Sequence, residues 1–260
     1  MHENFKKKIE VHGKMLYAEF FHNQKDRPTL VFLHDSLGCV QLWRDFPEKL
    51  SVAASCNVLI YDRLGYGKSD AMPSSKRNAD YLEKEAAVLN DLLSNLNITG
   101  AILFGHSDGG SIALLAAAKY AGRVAGLICE AAHIFVEDVT LKGIYGAAEA
   151  YNTTDLPERL KKYHGDKVDA VFKSWVETWC GNDFRNWNIE SFLPQITAPL
   201  LFIQGDADEF GTMAQVDRTI SQVSGNAEKF IFSDAGHTPH KEFPEKTVAI
   251  AADFIRKAFP

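Results

Sequence analysis

The sequence predicts an α/β fold, a mostly parallel, doubly wound sheet with a helical insertion. Three observations predict it. Short apolar runs of strand length alternate with helical stretches along most of the chain. One run, residues 101–104 (Ala-Ile-Leu-Phe), passes through Gly105-His106-Ser107-Asp108-Gly109 straight into a small-residue helix at 111–118. Aspartates and histidines follow the later strands, at the strand ends where sheets of this kind bind ligands.

Taken in order, residues 8–11 and 15–21 read as an antiparallel hairpin turning at Gly13, which would form one edge of the sheet. Residues 29–33 (Thr-Leu-Val-Phe-Leu) are a buried strand, followed by His34-Asp35-Ser36-Leu37-Gly38 and a helix over 41–53. The strand at 57–61 leads into Asp62-Arg63-Leu64-Gly65-Tyr66-Gly67-Lys68-Ser69, whose glycines suit tight turns. Over 78–96, Leu82, Ala86, Leu89, Leu93 and Leu96 keep a 3.6-residue period, and Asn97 and Gly100 end that helix. Residues 124–129 form another buried strand.

Between 133 and 196 the alternation stops, and an aromatic-rich helical stretch takes its place. The expected division is a core of 1–132 and 197–260 with a cap at 133–196. Phe172, Trp175 and Trp179 share one helical face, which serves as packing surface and offers Trp175 and Trp179 as substrate contacts. The strand-helix rhythm resumes with a strand at 199–203, a helix at 214–222 and a strand at 229–232. A last helix starts at Pro244, with Val248, Ala251, Ala252, Ile255 and Phe259 on one side.

Composition narrows the function classes. The 260 residues suffice for one α/β domain with an insertion, and 46% hydrophobic with 24% charged residues is ordinary for a globular chain. A net charge of -6 gives no basic footprint for nucleic acid or an anionic membrane. Cys39, Cys56, Cys129 and Cys180 form no C-x-x-C pair, so they read as buried thiols, with neither a metal site nor a disulfide framework expected. The first eight residues carry no apolar signal region, and no run is long enough to span a bilayer. The expectation is a cytoplasmic protein acting on a small molecule, with no nucleic-acid or membrane partner. The sequons at Asn97 and Asn152 then read as chance matches.

Gly105-x-Ser107-x-Gly109 between strand and helix forces a sharp turn that lifts Ser107 clear of the sheet. A serine hydroxyl is a poor nucleophile alone. It needs a histidine base, a carboxylate to orient that base, and N–H donors for the oxyanion. After the strand at 199–203 come Asp206, Asp208 and Glu209; after that at 229–232 come Asp234 and His237, with His240 close behind. Aspartates after strands also cap turns, and a lone histidine is often structural. Together, in the chain order serine, acid, histidine, they point to nucleophilic acyl transfer.

The chain resembles the α/β-hydrolase superfamily over nearly its whole length, on the motifs at 34–38, 62–69 and 105–109, on Gly205-x-x-Asp208 and on Gly236-His237. In that family the acid stands three residues after the glycine and the base directly follows one. The resemblance therefore implies Ser107 as nucleophile, Asp208 rather than Asp206 as acid, and His237 rather than His240 as base. It implies backbone N–H groups of Ser36 and Asp108 as oxyanion donors, and no cofactor or metal. Many members have glycine where this chain has Asp35, a departure that bears on the shape of the oxyanion loop.

The family includes esterases, C–C bond hydrolases of ring-fission products, and ligand receptors that keep the scaffold. The expectation is a serine hydrolase of a carboxylic ester or related acyl substrate, with the other two as alternatives. The elbow Gly-x-Ser-Asp-Gly-Gly is similar to that of valacyclovir hydrolases, which implies that Asp108 meets a substrate amine, with Glu137, Asp138 and Glu149 adding negative charge. A carboxylate there also suits the first turn of a helix, by about 0.3–1 kcal/mol. Arg63 and Arg185 are the basic residues to examine for a carboxylate pocket.

Overall fold

The computed structural model describes residues 4–22, 24, 26–74 and 76–259. The first hairpin joins β1 (Phe5–Val11) to β2 (Lys14–Phe21). Val11 pairs with Lys14, so the turn is only His12 and Gly13, at φ 52° and 71°. Two positive φ angles are what a type I′ hairpin turn requires, and glycine supplies one without strain. Six further strands follow: β3 (Thr29–Leu33), β4 (Asn57–Tyr61), β5 (Ala101–His106), β6 (Val124–Glu130), β7 (Leu200–Gly205) and β8 (Ala227–Phe232). The sheet order is β1-β2-β4-β3-β5-β6-β7-β8. β2 runs antiparallel to both its neighbours, β1 and β4, and the other pairings are parallel.

The helices are α1 (Phe46–Ala54), α2 (Tyr81–Asn95), α3 (Asp108–Lys119), α4 (Asp138–Thr153), α5 (Leu156–His164), α6 (Val168–Trp179), α7 (Met213–Gln222), α8 (Pro239–Glu242) and α9 (Pro244–Ala258). The period-2 alternation of strand side chains divides the core between the two faces of the sheet. Val31, Leu33, Leu59, Tyr61 and Leu103 pack with α2, α3 and the helices that follow β6. Leu30, Phe32, Val58, Ile60, Ile102 and Phe104 pack with α1 and α9. Covered on both faces, the central strands are continuous apolar runs rather than alternating ones. Leu82, Ala86, Leu89, Leu93 and Leu96 are all buried, as their spacing predicts.

One helix differs from expectation. In place of a helix over 41–53 there is a 3₁₀ turn at Val40–Trp43, a break at Arg44 (φ 53°), and then α1. Pro47 is the cause. It has no N–H to give the carbonyl four residues back, and its ring would crowd that carbonyl, so it is tolerated only in a first turn. Cys39, Cys56 and Cys129 are buried thiols, while Cys180, at the end of α6, is half-buried. Among the described residues no helix is long and apolar enough to cross a membrane.

The start of α3 lies directly on the strands. A Cβ at Gly109 would run into the Leu33 carbonyl oxygen, and one at Gly105 into the Gly109 carbonyl oxygen. Forcing an extra methyl group into such a site destabilises by about 1–3 kcal/mol. Gly109→Ala should lower the unfolding free energy by that amount in urea titration. Gly146→Ala, inside α4 where an added Cβ meets nothing within 4 Å, should instead raise it by about 0.5–1 kcal/mol. Equal small effects would mean that α3 sits farther from β3 than described.

Candidate active site

Ser107 is the single residue between β5 and α3, at φ 54° and ψ -121°. A non-glycine residue in that conformation is strained and persists only where its surroundings fix it. Here Ser107 N–H donates to the Glu130 carbonyl (2.9 Å), and the Ser107 carbonyl accepts from Gly110 and Ser111 N–H (2.8 and 3.1 Å). Asp108 follows as the first residue of α3, where backbone N–H groups have no partner within the helix.

The strand ends β7 and β8 bring Asp208 and His237 together. His237 Nδ1–H donates to the Asp208 carboxylate, 2.9 Å from both oxygens. Asp208 also accepts from Gln204 Nε2 (2.6 Å) and Phe210 N–H (2.7 Å). Burial alone would favour the neutral acid, yet the hydrogen bond and charge of His237, with the Phe210 N–H, hold Asp208 below its ordinary pKa. For His237 burial disfavours the cation, but Asp208, and more weakly Glu209 and Asp35, raise its pKa above the ordinary histidine value.

The competing residues have other duties. Asp206 accepts from Asp234 N–H (2.8 Å), closing the turn after β8. His240 is buried against Glu130, with its N–H 2.6 Å from one carboxylate oxygen and its Nδ1 2.6 Å from the other. His106 Nε2–H donates to the His237 carbonyl (2.8 Å). Sequence reasoning missed Glu130 and His106. Both are final residues of strands, which is the signal that would have found them.

A cavity of about 220 Å³ opens above these strand ends. Ser36, Ser107, Asp108, His133 and His237 border it from the sheet side, and Thr140, Ile144, Trp175 and Trp179 from α4 and α6. Trp175 and Trp179 thus both border it, whereas Phe172 stacks on Tyr151 with ring centroids 3.8 Å apart. Asp35 is absent from the residues with positive φ, so its place in the loop does not need glycine's freedom.

Charge is arranged differently from expectation. Glu137 is occupied by Thr212 and Gln215, Asp138 pairs with Arg185, and Glu149 is exposed, so none of the three borders the cavity. Asp35 and Glu209 border it instead, together with Asp108, and among the described residues no lysine or arginine does. Arg63 is wholly buried, with its guanidinium donating to the Asp35 carbonyl (2.9 Å) and lying 3.4 Å from Asp108 Oδ2. Tyr81 O–H donates to the same Asp108 oxygen (3.0 Å) and accepts from Trp179 Nε1 (2.9 Å).

A sequence model of the alpha/beta hydrolase family matches residues 30–250. Serine hydrolase BPHL of Homo sapiens is 28% identical over 207 residues, covering 76% of this chain and 69% of that protein. A 2-hydroxy-6-oxononadienedioate/2-hydroxy-6-oxononatrienedioate hydrolase of Escherichia coli (strain K12) is 25% identical over 280 residues, covering 96% of this chain and 94% of that one. The enol-lactonase from Burkholderia xenovorans LB400 shares the fold, with a TM-score of 0.75 at 20% identity over 96% of this chain and 99% of that one. A bacterial membrane phospholipase A does so with a TM-score of 0.79 at 19% identity, over 98% of this chain and 86% of that one.

The buried Asp108–Arg63 pair makes a prediction about stability. Asp108→Asn leaves the Arg63 charge in the interior without its carboxylate, a loss of about 3–5 kcal/mol. Tyr81→Phe removes two hydrogen bonds, one to the Asp108 carboxylate and one from Trp179 Nε1, but leaves the ion pair in place and should lose somewhat less, about 2–4 kcal/mol. Urea unfolding of both variants checks the order. An Asp108→Asn chain as stable as the parent would show that Arg63 does not rely on this carboxylate.

Proposed function

The chain belongs to the alpha/beta hydrolase family and is a hydrolase, and from that premise we propose that it cleaves a small-molecule carboxylic ester or related acyl substrate through an acyl-enzyme on Ser107. The observation that carries this reading is the His237–Asp208 contact at the rim of the cavity that Ser107 also borders. Asp208 holds the proton on His237 Nδ1, which leaves Nε2 as the lone-pair nitrogen. His237 takes the Ser107 proton as the oxygen attacks the acyl carbon. The Ser36 and Asp108 N–H groups receive the oxyanion, each such donor lowering the barrier by about 3–4 kcal/mol. His237 then gives the proton to the departing alkoxide. Water, deprotonated by the same imidazole, releases the acid and restores the serine. Residues 133–196 act as the cap that closes the site, with Trp175 and Trp179 as substrate contacts.

The charges around the cavity favour this reading over C–C cleavage of a dicarboxylate such as the Escherichia coli relative's name describes. Asp35, Asp108 and Glu209 border the cavity, where among the described residues no lysine or arginine does; Arg63 pairs with Asp108 from behind the wall, so Asp35 and Glu209 supply the net charge. For Asp35 burial opposes ionisation, yet its pKa is lowered, with the Lys241 charge the largest cause of the lowering. A substrate carboxylate about 5 Å from one such charge meets roughly 3 kcal/mol of repulsion at an effective dielectric of about 20. A neutral or amine-bearing ester meets none. Asp108 gives Oδ2 to Arg63 and Tyr81, and its Oδ1, buried, has no partner among the described residues.

Activity should rise with pH. His237 must be neutral to accept a proton, and its pKa stands above the ordinary histidine value, so the acid limb of kcat/KM should lie above about pH 6.5. Asp208→Asn should move that limb down and lower kcat by roughly 10⁴-fold. Ser107→Ala should abolish both aryl-ester turnover and labelling by a fluorophosphonate. His240→Ala should first lower stability, because it leaves Glu130 buried and unpaired. Turnover of a ring-fission dicarboxylate without ester turnover would transfer the assignment to C–C cleavage, and the absence of any turnover or labelling would favour a receptor.

A further inference from the structure

The loop that follows β3 is held from two sides by imidazoles in their neutral form. His34 Nδ1–H donates to the Asp35 carbonyl (2.8 Å), and its Nε2 accepts from Arg63 N–H (3.0 Å). Two residues further on, the Leu37 carbonyl accepts from His164 Nε2–H (3.0 Å), while His164 Nδ1 accepts from Gly67 N–H (3.1 Å). A carbonyl cannot donate and an amide N–H cannot accept, so these contacts fix the tautomer and require an uncharged ring. Burial, with a lesser push from Lys167, outweighs the Leu37 carbonyl and Asp35 and lowers the His164 pKa, in keeping with that requirement.

His164 does not belong to the core. It ends α5, within residues 133–196, yet it is only 2% exposed because it is inserted between two core loops. Lys167 reinforces it, donating to the Tyr66, Gly67 and Ser69 carbonyls. The two core loops are also joined through Asp62, whose carboxylate accepts from Val40 N–H (2.6 Å) and Lys68 N–H (2.7 Å). Gly67 sits at φ 44°, and a Cβ there would strike the Asp62 carboxylate. The approach of Gly67 N–H to His164 is therefore built into the loop.

We propose that His164 is a positioning residue for the oxyanion hole: by holding the Leu37 carbonyl it aims the neighbouring Ser36 N–H, so the hole is complete only while the cap is seated on the core. The inference rests on the reading of Ser107 as nucleophile and Ser36 as oxyanion donor. His164 does not border the cavity and so acts through the loop. Misplacing a donor by about 1 Å can lower a rate by roughly 10²-fold without weakening ground-state binding.

The test compares the native chain with His164→Leu, His164→Gln and Lys167→Met, using p-nitrophenyl acetate and an aryl trifluoromethyl ketone whose hemiketal oxygen occupies the oxyanion hole. His164→Leu should lower kcat by about 10- to 100-fold with little change in KM, and raise the ketone Ki by the same factor. His164→Gln, whose amide offers one donor and one acceptor, should recover most of both losses. Lys167→Met should shift kcat and Ki together in the same direction by a smaller factor, and it carries the test if the leucine variant does not fold. Full kcat in a folded His164→Leu chain, a kcat loss without the matching loss of ketone affinity, or, where that chain does not fold, an unchanged Lys167→Met, overturns the proposal. A native chain that neither turns over the ester nor is labelled at Ser107 overturns the serine-hydrolase reading itself, and with it this inference.

Discussion

The site depends on a close backbone contact: the first turn of α3 lies on the ends of β3 and β5 with only glycines between them. Gly109 meets the Leu33 carbonyl, and Gly105 meets the Gly109 carbonyl. Because Leu33 pairs with Gly105 across the parallel ladder, residues 34–36 and 106–108 leave the sheet side by side. The same register runs outward. His106 pairs with Glu130, Glu130 with Ile203, and Gly205 with Phe232, so every chemistry-bearing loop departs from one edge of the sheet. The strained Ser107 backbone is stabilised by this packing rather than by its own preference.

Beneath the cavity, buried charges are balanced in groups. Trp179, Tyr81, Asp108 and Arg63 form one chain of donors and acceptors that runs from α6 to the loop after β3. Glu130 and His240 form another, tying the end of β6 to the segment that follows His237. Neither group is a convincing source of net stability, since buried pairs roughly offset their own desolvation. Their effect is geometric. Each ties a loop that carries a site residue to a neighbouring element, and each requires a partner that only one arrangement of the loops provides.

The strands and the order of the site residues were legible because both are local properties. A run such as Thr29–Leu33 has one explanation in an α/β chain, and Gly-x-Ser-x-Gly between strand and helix has few. The break before α1 was legible in principle from Pro47. The charge pattern was not. Glu137, Asp138 and Glu149 sit in the correct segment but do not border the cavity: Glu137 is taken up by Thr212 and Gln215 and Asp138 by Arg185, partners that helix spacing does not reveal. Asp35 and Glu209 were in view as neighbours of Ser36 and Asp208, yet their approach to the cavity depends on how two loops from distant strands meet. Neutralisation of Asp108 by Arg63 joins residues from different strand ends, and no spacing rule reaches that far.

Family membership fixes the scaffold, and identities of 25–28% carry that far. At the cavity wall this chain carries Asp35, beside Ser36, where the family it resembles often has glycine. An ionised carboxylate near a developing oxyanion opposes catalysis unless something compensates for it. The compensating charge lies behind the wall, in Lys241, which helps to lower the Asp35 pKa. A cationic group on a substrate would add to that compensation from the front, whereas an anionic group would work against it. On the proposed reading, the position that departs from the family therefore bears on substrate choice, and a negative charge there would select against anions.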